Sequence, residues 1–309
     1  MEEAPAVETA DLTKQYGRVR ALDGLTMTVA RGEVFGLLGP NGAGKTTVVK
    51  LLLGLARSSG GTGRVLGAPL GDRATRRRIG YLPELFRYQP WMRAREVLAF
   101  HCELARLHRS HRPEAIDSAL ELVGLADRAD DLVNTFSKGM QQRLGLGVAM
   151  LGAPELVILD EPTSALDPVG RNDVRAIIRA ARQRGTTVFL NSHLLTEVER
   201  VCDRVAIVDR GRVVEEGRLD DVLGDPGVRV QATGLDAAAY GQLERFGPIR
   251  REGDWLSIQP FDPAGVPDLV DVIVAAGGRI YEVDAGRRSL EERFLALLAE
   301  GAGEPGPAA

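Results

Sequence analysis

The residues Gly39-Pro40-Asn41-Gly42-Ala43-Gly44-Lys45-Thr46-Thr47 space glycines, a lysine and hydroxyls in the order G-x-x-x-x-G-K-[ST]. That order suits a polyphosphate. Glycines let successive backbone N–H groups turn inward as an anion nest. A helix beginning at the lysine adds the partial positive charge of its N-terminus. The compact ammonium of Lys45 is placed to reach the β- and γ-phosphates, and the Thr46 hydroxyl to ligate Mg²⁺. Lysine is scarce in this chain: Lys14, Lys45, Lys50 and Lys138 are the four among 39 basic residues, the rest being arginine. Keeping lysine at 45 fits a role for which a planar guanidinium fork has the wrong shape. A second candidate is Leu156-Val157-Ile158-Leu159-Asp160-Glu161, an apolar run ending in two carboxylates. The first can hold Mg²⁺ and the second can orient or deprotonate a water.

Both groups need a scaffold that presents loops at strand ends. Residues 34–38 are a continuous apolar run directly before the glycine-rich turn, and a helical pattern follows from Lys45. Strand, turn and helix make one unit of an open α/β sheet. Residues 156–159, 187–190 and 204–208 read as further buried parallel strands. The last leads through Arg210-Gly211, a hairpin turn, into 212–215. Residues 7–12 and 21–29 alternate apolar and polar side chains, as antiparallel strands do. Helices are expected at 93–107, 113–123 and 138–151, which makes about 88–152 a helical subdomain. After Gly224-Asp225-Pro226-Gly227 the pattern restarts as β-α-β-β-α-β, the ferredoxin-like order, with a last helix over 290–299. The expected organisation is a domain over 1–223, an α+β accessory domain over 224–300 and a disordered tail over 301–309.

Composition bounds what the chain does. Its 309 residues are 44% hydrophobic and 27% charged, enough for one large or two smaller globular domains. No run reaches the roughly 18–20 apolar residues of a membrane span, and the acidic start Met1-Glu2-Glu3-Ala4-Pro5 is not a signal peptide. A cytoplasmic location is expected. Two cysteines, Cys102 and Cys202, make neither a disulfide framework nor a metal cluster. The net charge of −4 argues against nucleic acid as a partner, and the run Arg73, Arg76, Arg77 and Arg78 reads as a solvated face.

Further stretches fall in an informative order. Phe136-Ser137-Lys138-Gly139-Met140-Gln141-Gln142-Arg143 precedes the carboxylate strand. Asp160-Glu161 continues into Pro162-Thr163-Ser164-Ala165-Leu166-Asp167-Pro168, and Asn191-Ser192-His193 follows the next strand. Together with the phosphate loop these resemble the nucleotide-binding subunit of ATP-binding-cassette (ABC) transporters, over about residues 7–223. The resemblance implies an ABC-type P-loop NTPase fold, α/β, with an antiparallel β subdomain and a helical subdomain. It implies ATP and Mg²⁺ as ligands. By the same resemblance, Tyr16 stacks on adenine; Gly39, Asn41, Gly42, Ala43, Gly44, Lys45, Thr46 and Thr47 hold phosphates; and Thr46, Asp160 and Glu84 serve the metal. Glu161 is the implied catalytic carboxylate and His193 the γ-phosphate contact. Ser137 and Gly139 meet the nucleotide of a second subunit, with Asp167 at that interface. The implied partners are a second copy, head to tail, and a transmembrane permease that holds the chain at the inner face of the membrane.

Two departures from the commonest family pattern narrow the branch. The signature carries Phe136, Lys138 and Met140 where Leu, Gly and Gln are usual, and Glu84 stands where the Q-loop has glutamine. A carboxylate still reaches a metal or water but donates no amide hydrogen bond. Both departures, with the C-terminal extension and its Leu290-Glu291-Glu292-Arg293-Phe294-Leu295, resemble the ABC-2 branch of exporters. A non-transport ABC ATPase and an importer ATPase are the alternatives. Only about a hundred residues, without heptads, separate Gly39 from Ser137, which leaves no room for the long coiled coil of repair ATPases. Trp91-Met92 reads equally as an exposed patch facing a permease or as core.

Overall fold

The computed structural model describes residues 4–164, 166–287 and 289–301. They form two compact units that divide between Arg218 and Leu219, one short helix earlier than the boundary read from the sequence. The expected tail at 302–309, like Ala165 of the 160–168 motif, lies outside the described residues; Gly301, assigned to that tail, ends a helix instead.

The first unit begins with β1 (Val7–Tyr16) and β2 (Val19–Val29), a hairpin extended by β4 (Gly60–Val65) and β5 (Ala68–Pro69) into an antiparallel sheet ordered β2-β1-β4-β5. Between them come β3 (Val34–Leu38) and α1 (Lys45–Leu52). Then follow β6 (Ile79–Leu82), α2 (Ala94–Leu104), α3 (Arg112–Leu122), α4 (Lys138–Ala149), β7 (Leu156–Asp160), α5 (Pro168–Gln183), β8 (Thr187–Asn191), α6 (Leu195–Val201), β9 (Arg204–Asp209) and β10 (Arg212–Arg218). The second sheet is ordered β10-β9-β3-β8-β7-β6 and is parallel apart from β10. Strands β3, β7 and β8 are buried along their whole length, which is why they read as unbroken apolar runs.

One core cluster joins both sheets. It packs Leu12, Leu25 and Met27 of the antiparallel sheet with Val48, Leu51 and Leu52 of α1 and with Phe35, Phe189 and Val208 of the parallel sheet. Phe35 and Phe189 stack across β3 and β8 with centroids 5.8 Å apart. Each such side chain, fully buried, is worth about 1.5–3 kcal/mol. The phosphate-loop helix is thereby clamped from both sides.

Three strands escape the sequence pattern for identifiable reasons. Strand β4 is glycine-rich because it passes close to β1: a Cβ at Gly61 would lie 2.1 Å from the Asp11 carbonyl. Strand β6 is interrupted by Gly80, where a Cβ would lie 1.8 Å from the Ala149 carbonyl at the end of α4. The two-residue β5 is too short to show a period. Helices α2, α3 and α4 all fall between β6 and β7.

The second unit contains α7 (Leu219–Leu223), β11 (Gly227–Thr233), α8 (Ala237–Leu243), β12 (Ile249–Glu252), β13 (Trp255–Ile258), α9 (Val266–Ala275), β14 (Arg279–Gly286) and α10 (Leu290–Gly301). Its sheet is antiparallel throughout and ordered β12-β13-β11-β14, the ferredoxin-like arrangement. Val228, Val230, Leu256 and Ile258 pack with Leu243, Leu269 and Ile273 to form its own core.

Candidate active site

Three neighbouring parallel strands deliver the candidate chemistry to one edge of the sheet. In β3-β8-β7, Leu37 pairs with Asn191 and Asn191 pairs with Asp160. The loop after β3, the carboxylates ending β7 and the segment after β8 therefore share the carboxyl end of the sheet, where open α/β folds bind ligands.

Loop 39–44 turns on glycine. Gly42 (φ 84°) and Gly44 (φ 106°) occupy the left-handed region, and Gly44 caps α1. Lys45, 8% exposed, donates from Nζ to the carbonyls of Gly39 (2.5 Å) and Pro40 (3.1 Å). An ammonium has three N–H donors, so a third remains for a ligand. Burial pushes the Lys45 pKa down, and the nearby Glu161 and Asp160 pull it back up. Asn41, Gly42 and Thr46 are exposed, Gly44 and Thr47 half-buried and Ala43 buried.

Asp160 is 6% exposed, and burial raises its pKa against the opposing donor of Asn191, whose Nδ2 sits 2.5 Å from Asp160 Oδ1. The exposed Glu84 adds to the rise and Lys45 opposes it. Glu161 follows in the left-handed region (φ 52°), unusual for a residue with a side chain and a strain of order 1 kcal/mol or more. Its backbone N–H donates to the Asn191 carbonyl (2.8 Å), and its Oε1 accepts from the His193 N–H (3.0 Å). His193 Nδ1 lies 2.8 Å from Glu161 Oε2, off the line of a hydrogen bond. Glu161 Oε2 and Asn191 Oδ1 are both buried with no hydrogen-bond partner among the described residues. A buried, unsatisfied carboxylate oxygen is costly, and a site that keeps one is built for a donor or cation brought by a ligand. The donor set fits a magnesium nucleotide.

Ser137, Gly139, Asp167 and Tyr16 make no hydrogen bond to this cluster among the described residues. Ser137 is the exposed N-cap of α4, its Oγ accepting from Met140 N–H at 3.2 Å, with Gly139 in the first turn. Asp167 caps α5 in the same way through Gly170 N–H at 2.8 Å. No hydrogen bond or ion pair among the described residues ties Ser137, Gly139 or Asp167 to Lys45, Asp160 or Glu161. Helix α4 reaches the site through Gln142, whose Nε2 donates to the Pro162 carbonyl (2.7 Å), just after Glu161. Tyr16 ends β1, 45% exposed, with Lys14 Nζ 4.6 Å from its ring centroid. Trp91 and Leu85 are exposed, at 71% and 87%, so Trp91 is not core.

Sequence reasoning gave no role to Asn191, which touches Asp160 with its side chain and Glu161 with its backbone. Its one signal is an amide closing an otherwise apolar buried strand.

A phosphate loop on a parallel sheet, two strand-end carboxylates and a helical insert define a P-loop ATPase cassette. Residues 22–164 match the ABC transporter family. Over 309 aligned positions the chain is 41% identical to an uncharacterized ABC transporter ATP-binding protein of Synechocystis sp., covering 96% of this chain and 86% of that one. It is 36% identical to the daunorubicin/doxorubicin resistance ATP-binding protein of Streptomyces peucetius, covering 94% and 92%. A solved structure of an ATP-binding subunit of an ABC transporter superposes with a TM-score of 0.63 at 32% identity, covering 70% of this chain and 91% of that one. The chain belongs to the ATP-binding proteins of ABC transporters and is an ATP-hydrolysing transporter subunit.

Proposed function

We propose that this subunit powers export through a separate membrane permease, working as a head-to-tail dimer with two ATP molecules between its copies. The carrying observation is the junction of β3, β8 and β7, where Glu161 and Asp160 act on the Lys45 ammonium and the buried Glu161 Oε2, with His193 Nδ1 2.8 Å away, has no hydrogen-bond partner among the described residues. The export reading is supported by the resistance protein of Streptomyces peucetius, a relative along nearly its whole length. Among the described residues no helix is long and apolar enough to cross a membrane, so the crossing is assigned to the permease. Exposed Leu85 and Trp91, beyond β6, supply the apolar patch for that partner, and attachment there places the subunit at the inner face of the membrane.

In this reading Tyr16 stacks on adenine. Gly39, Asn41, Gly42, Ala43, Gly44, Lys45, Thr46 and Thr47 surround the phosphates. Thr46, Asp160 and Glu84 are the residues that would hold Mg²⁺, which neutralises charge between the β- and γ-phosphates when bound. Glu161 accepts a proton from the attacking water as its oxygen bonds to the γ-phosphorus and the bridging P–O bond to ADP breaks. His193, fixed through its backbone to Glu161, faces the γ-phosphate. Ser137 and Gly139 present the N-terminus of α4 to the γ-phosphate held by the other copy, beside Asp167. That no hydrogen bond joins them to the local cluster supports this reading, in which their nucleotide sits in the partner.

The test is Glu161→Gln. The variant should bind ATP, form a dimer in size-exclusion chromatography with light scattering, and hydrolyse nothing. A protein that stays monomeric with saturating ATP and Mg²⁺ refutes the shared-site dimer.

A further inference from the structure

The turn between β9 and β10 is the outer wall of the phosphate loop, although some 170 residues separate them in sequence. Asp209 pairs with Arg212, and the two residues between them, Arg210 (φ 46°) and Gly211 (φ 79°), are both left-handed, which is the two-residue hairpin geometry that matches strand twist. The turn touches the loop at both ends. A Cβ on Gly39 would lie 2.3 Å from the Val208 carbonyl. At the other end Gly211 N–H donates to the Ala43 carbonyl at 2.9 Å. Gly211 passes its own carbonyl onward to the N–H of Asp23 in β2, at 3.0 Å. The Asp23 side chain closes back on the turn, accepting from Nε and Nη2 of Arg212 (3.0 and 2.7 Å) and from Arg20 (2.8 Å).

We propose that Gly211 is a positioning residue for nucleotide binding, a strap that sets the Ala43–Gly44 peptide so that the Gly44 N–H points into the phosphate nest. Across a trans peptide the carbonyl of one residue and the N–H of the next point in opposite directions. Holding the Ala43 carbonyl outward on Gly211 therefore turns the Gly44 N–H inward. Only glycine can act as the strap. A Cβ at 211 would lie 2.8 Å from the Ala21 carbonyl and from Leu22 Cα, and 3.0 Å from Asp23 N, all backbone of β2. The same β2 carbonyl of Ala21 backs Gly44, where a Cβ would lie 2.5 Å away. Loop, turn and strand β2 thus form one interlocked set, and β2 continues through Val19 to its pairing with Tyr16. The strap thus ties β2, the strand paired with the end of β1 that carries the candidate base-stacking ring, to the loop that takes the phosphates.

The inference rests on the phosphate-loop reading above, and the experiment separates the two. Gly211→Ala, Arg212→Ala and Lys45→Ala are compared with the parent chain. One measurement is the Kd of a fluorescent methylanthraniloyl-ATP. The other is the Ala43–Gly44 peptide resonance, one of the five Ala–Gly signals selected by ¹³C-carbonyl alanine with ¹⁵N-glycine labelling and assigned by its loss in an Ala43→Ser protein. Gly211→Ala should raise Kd about tenfold, the scale of one lost hydrogen bond to a charged group, and should move the Gly44 resonance. Arg212→Ala, which loosens the turn without touching the loop, should move the same resonance less. A folded Gly211→Ala with unchanged Kd and an unmoved Gly44 resonance overturns the strap; should Gly211→Ala not fold, an unmoved resonance in Arg212→Ala overturns it. If Lys45→Ala binds nucleotide like the parent chain, the phosphate-loop reading itself has failed. Loss of binding in Lys45→Ala beside a normal Gly211→Ala refutes the strap alone.

Discussion

Ser137 carries two separable duties, and two substitutions pull them apart. As N-cap of α4 its Oγ accepts from Met140 N–H at 3.2 Å. Helix α4 needs that cap, because Gly139, Gly145 and Gly147 each lower its intrinsic stability by up to about 1 kcal/mol relative to alanine. Ser137→Ala should cost about 1 kcal/mol. For the 218 residues of the first unit, an unfolding entropy of about 2.1 cal/mol/K per residue makes that a fall of roughly 2 °C in Tm. Ser137→Asp restores an acceptor at the same place and adds a charge that suits the helix dipole, so Tm should return to within about 1 °C. Its effect on assembly should be severe. A carboxylate within about 4 Å of a γ-phosphate costs on the order of 4 kcal/mol per unit charge at an effective dielectric of about 20, roughly a thousandfold at each of the two sites and about a millionfold in dimer affinity. The assay is thermal unfolding of each variant, with ATP-dependent dimerisation by light scattering in the Glu161→Gln background. A stable Ser137→Asp protein that dimerises at the parent concentration refutes the placement of Ser137 against a nucleotide. An unchanged Tm in Ser137→Ala refutes the capping account.

Two further outcomes follow from charge placement. Arg175 and Glu197 join α5 to α6 at 2.9 Å with side chains only 11% and 8% exposed. Arg175→Met should destabilise by about 3–5 kcal/mol in urea unfolding by stranding the Glu197 carboxylate, and Arg175→Met with Glu197→Leu should recover most of it. Glu155 is held down to a pKa of about 2, chiefly by the Arg78 hydrogen bond and then by Arg31. Its contribution is complete above the ordinary value of 4.5 and is lost as pH falls toward 2. Glu155→Gln should therefore flatten the acid limb of stability against pH in that window. The side chain is 40% exposed, so solvent screening keeps the effect below about 1 kcal/mol. A limb unchanged by the substitution refutes the pairing.

The parallel core was legible because burial on both faces leaves a mark in composition. Residues 34–38 and 156–160 could hardly be anything but interior strands, and the loops at their ends inherit their position from them. The phosphate loop was legible because its chemistry is local, confined to nine consecutive residues. Contacts between distant segments leave no such mark. Gly211 reads as a turn glycine in sequence, and only its nearness to Ala43 and Leu22 gives it a second duty. Asn191 was visible as a residue, but its grip on Asp160 depends on strand register. Strands β4 and β6 were hidden by glycines that serve close packing rather than turns.

The cluster at the end of β7 and β8 is a place where the protein's own groups satisfy one another poorly. Glu161 bears a left-handed backbone, Glu161 Oε2 and Asn191 Oδ1 have no hydrogen bond among the described residues, and the Lys45 ammonium is buried against its preference. Each of these can be relieved by substitution, and nothing in folding alone opposes that relief. Stability and turnover are therefore in conflict at these positions. Selection of this chain for heat resistance without selection for activity would drift toward changes at 45, 161 and 191, and would end with a sturdier molecule that no longer spends ATP.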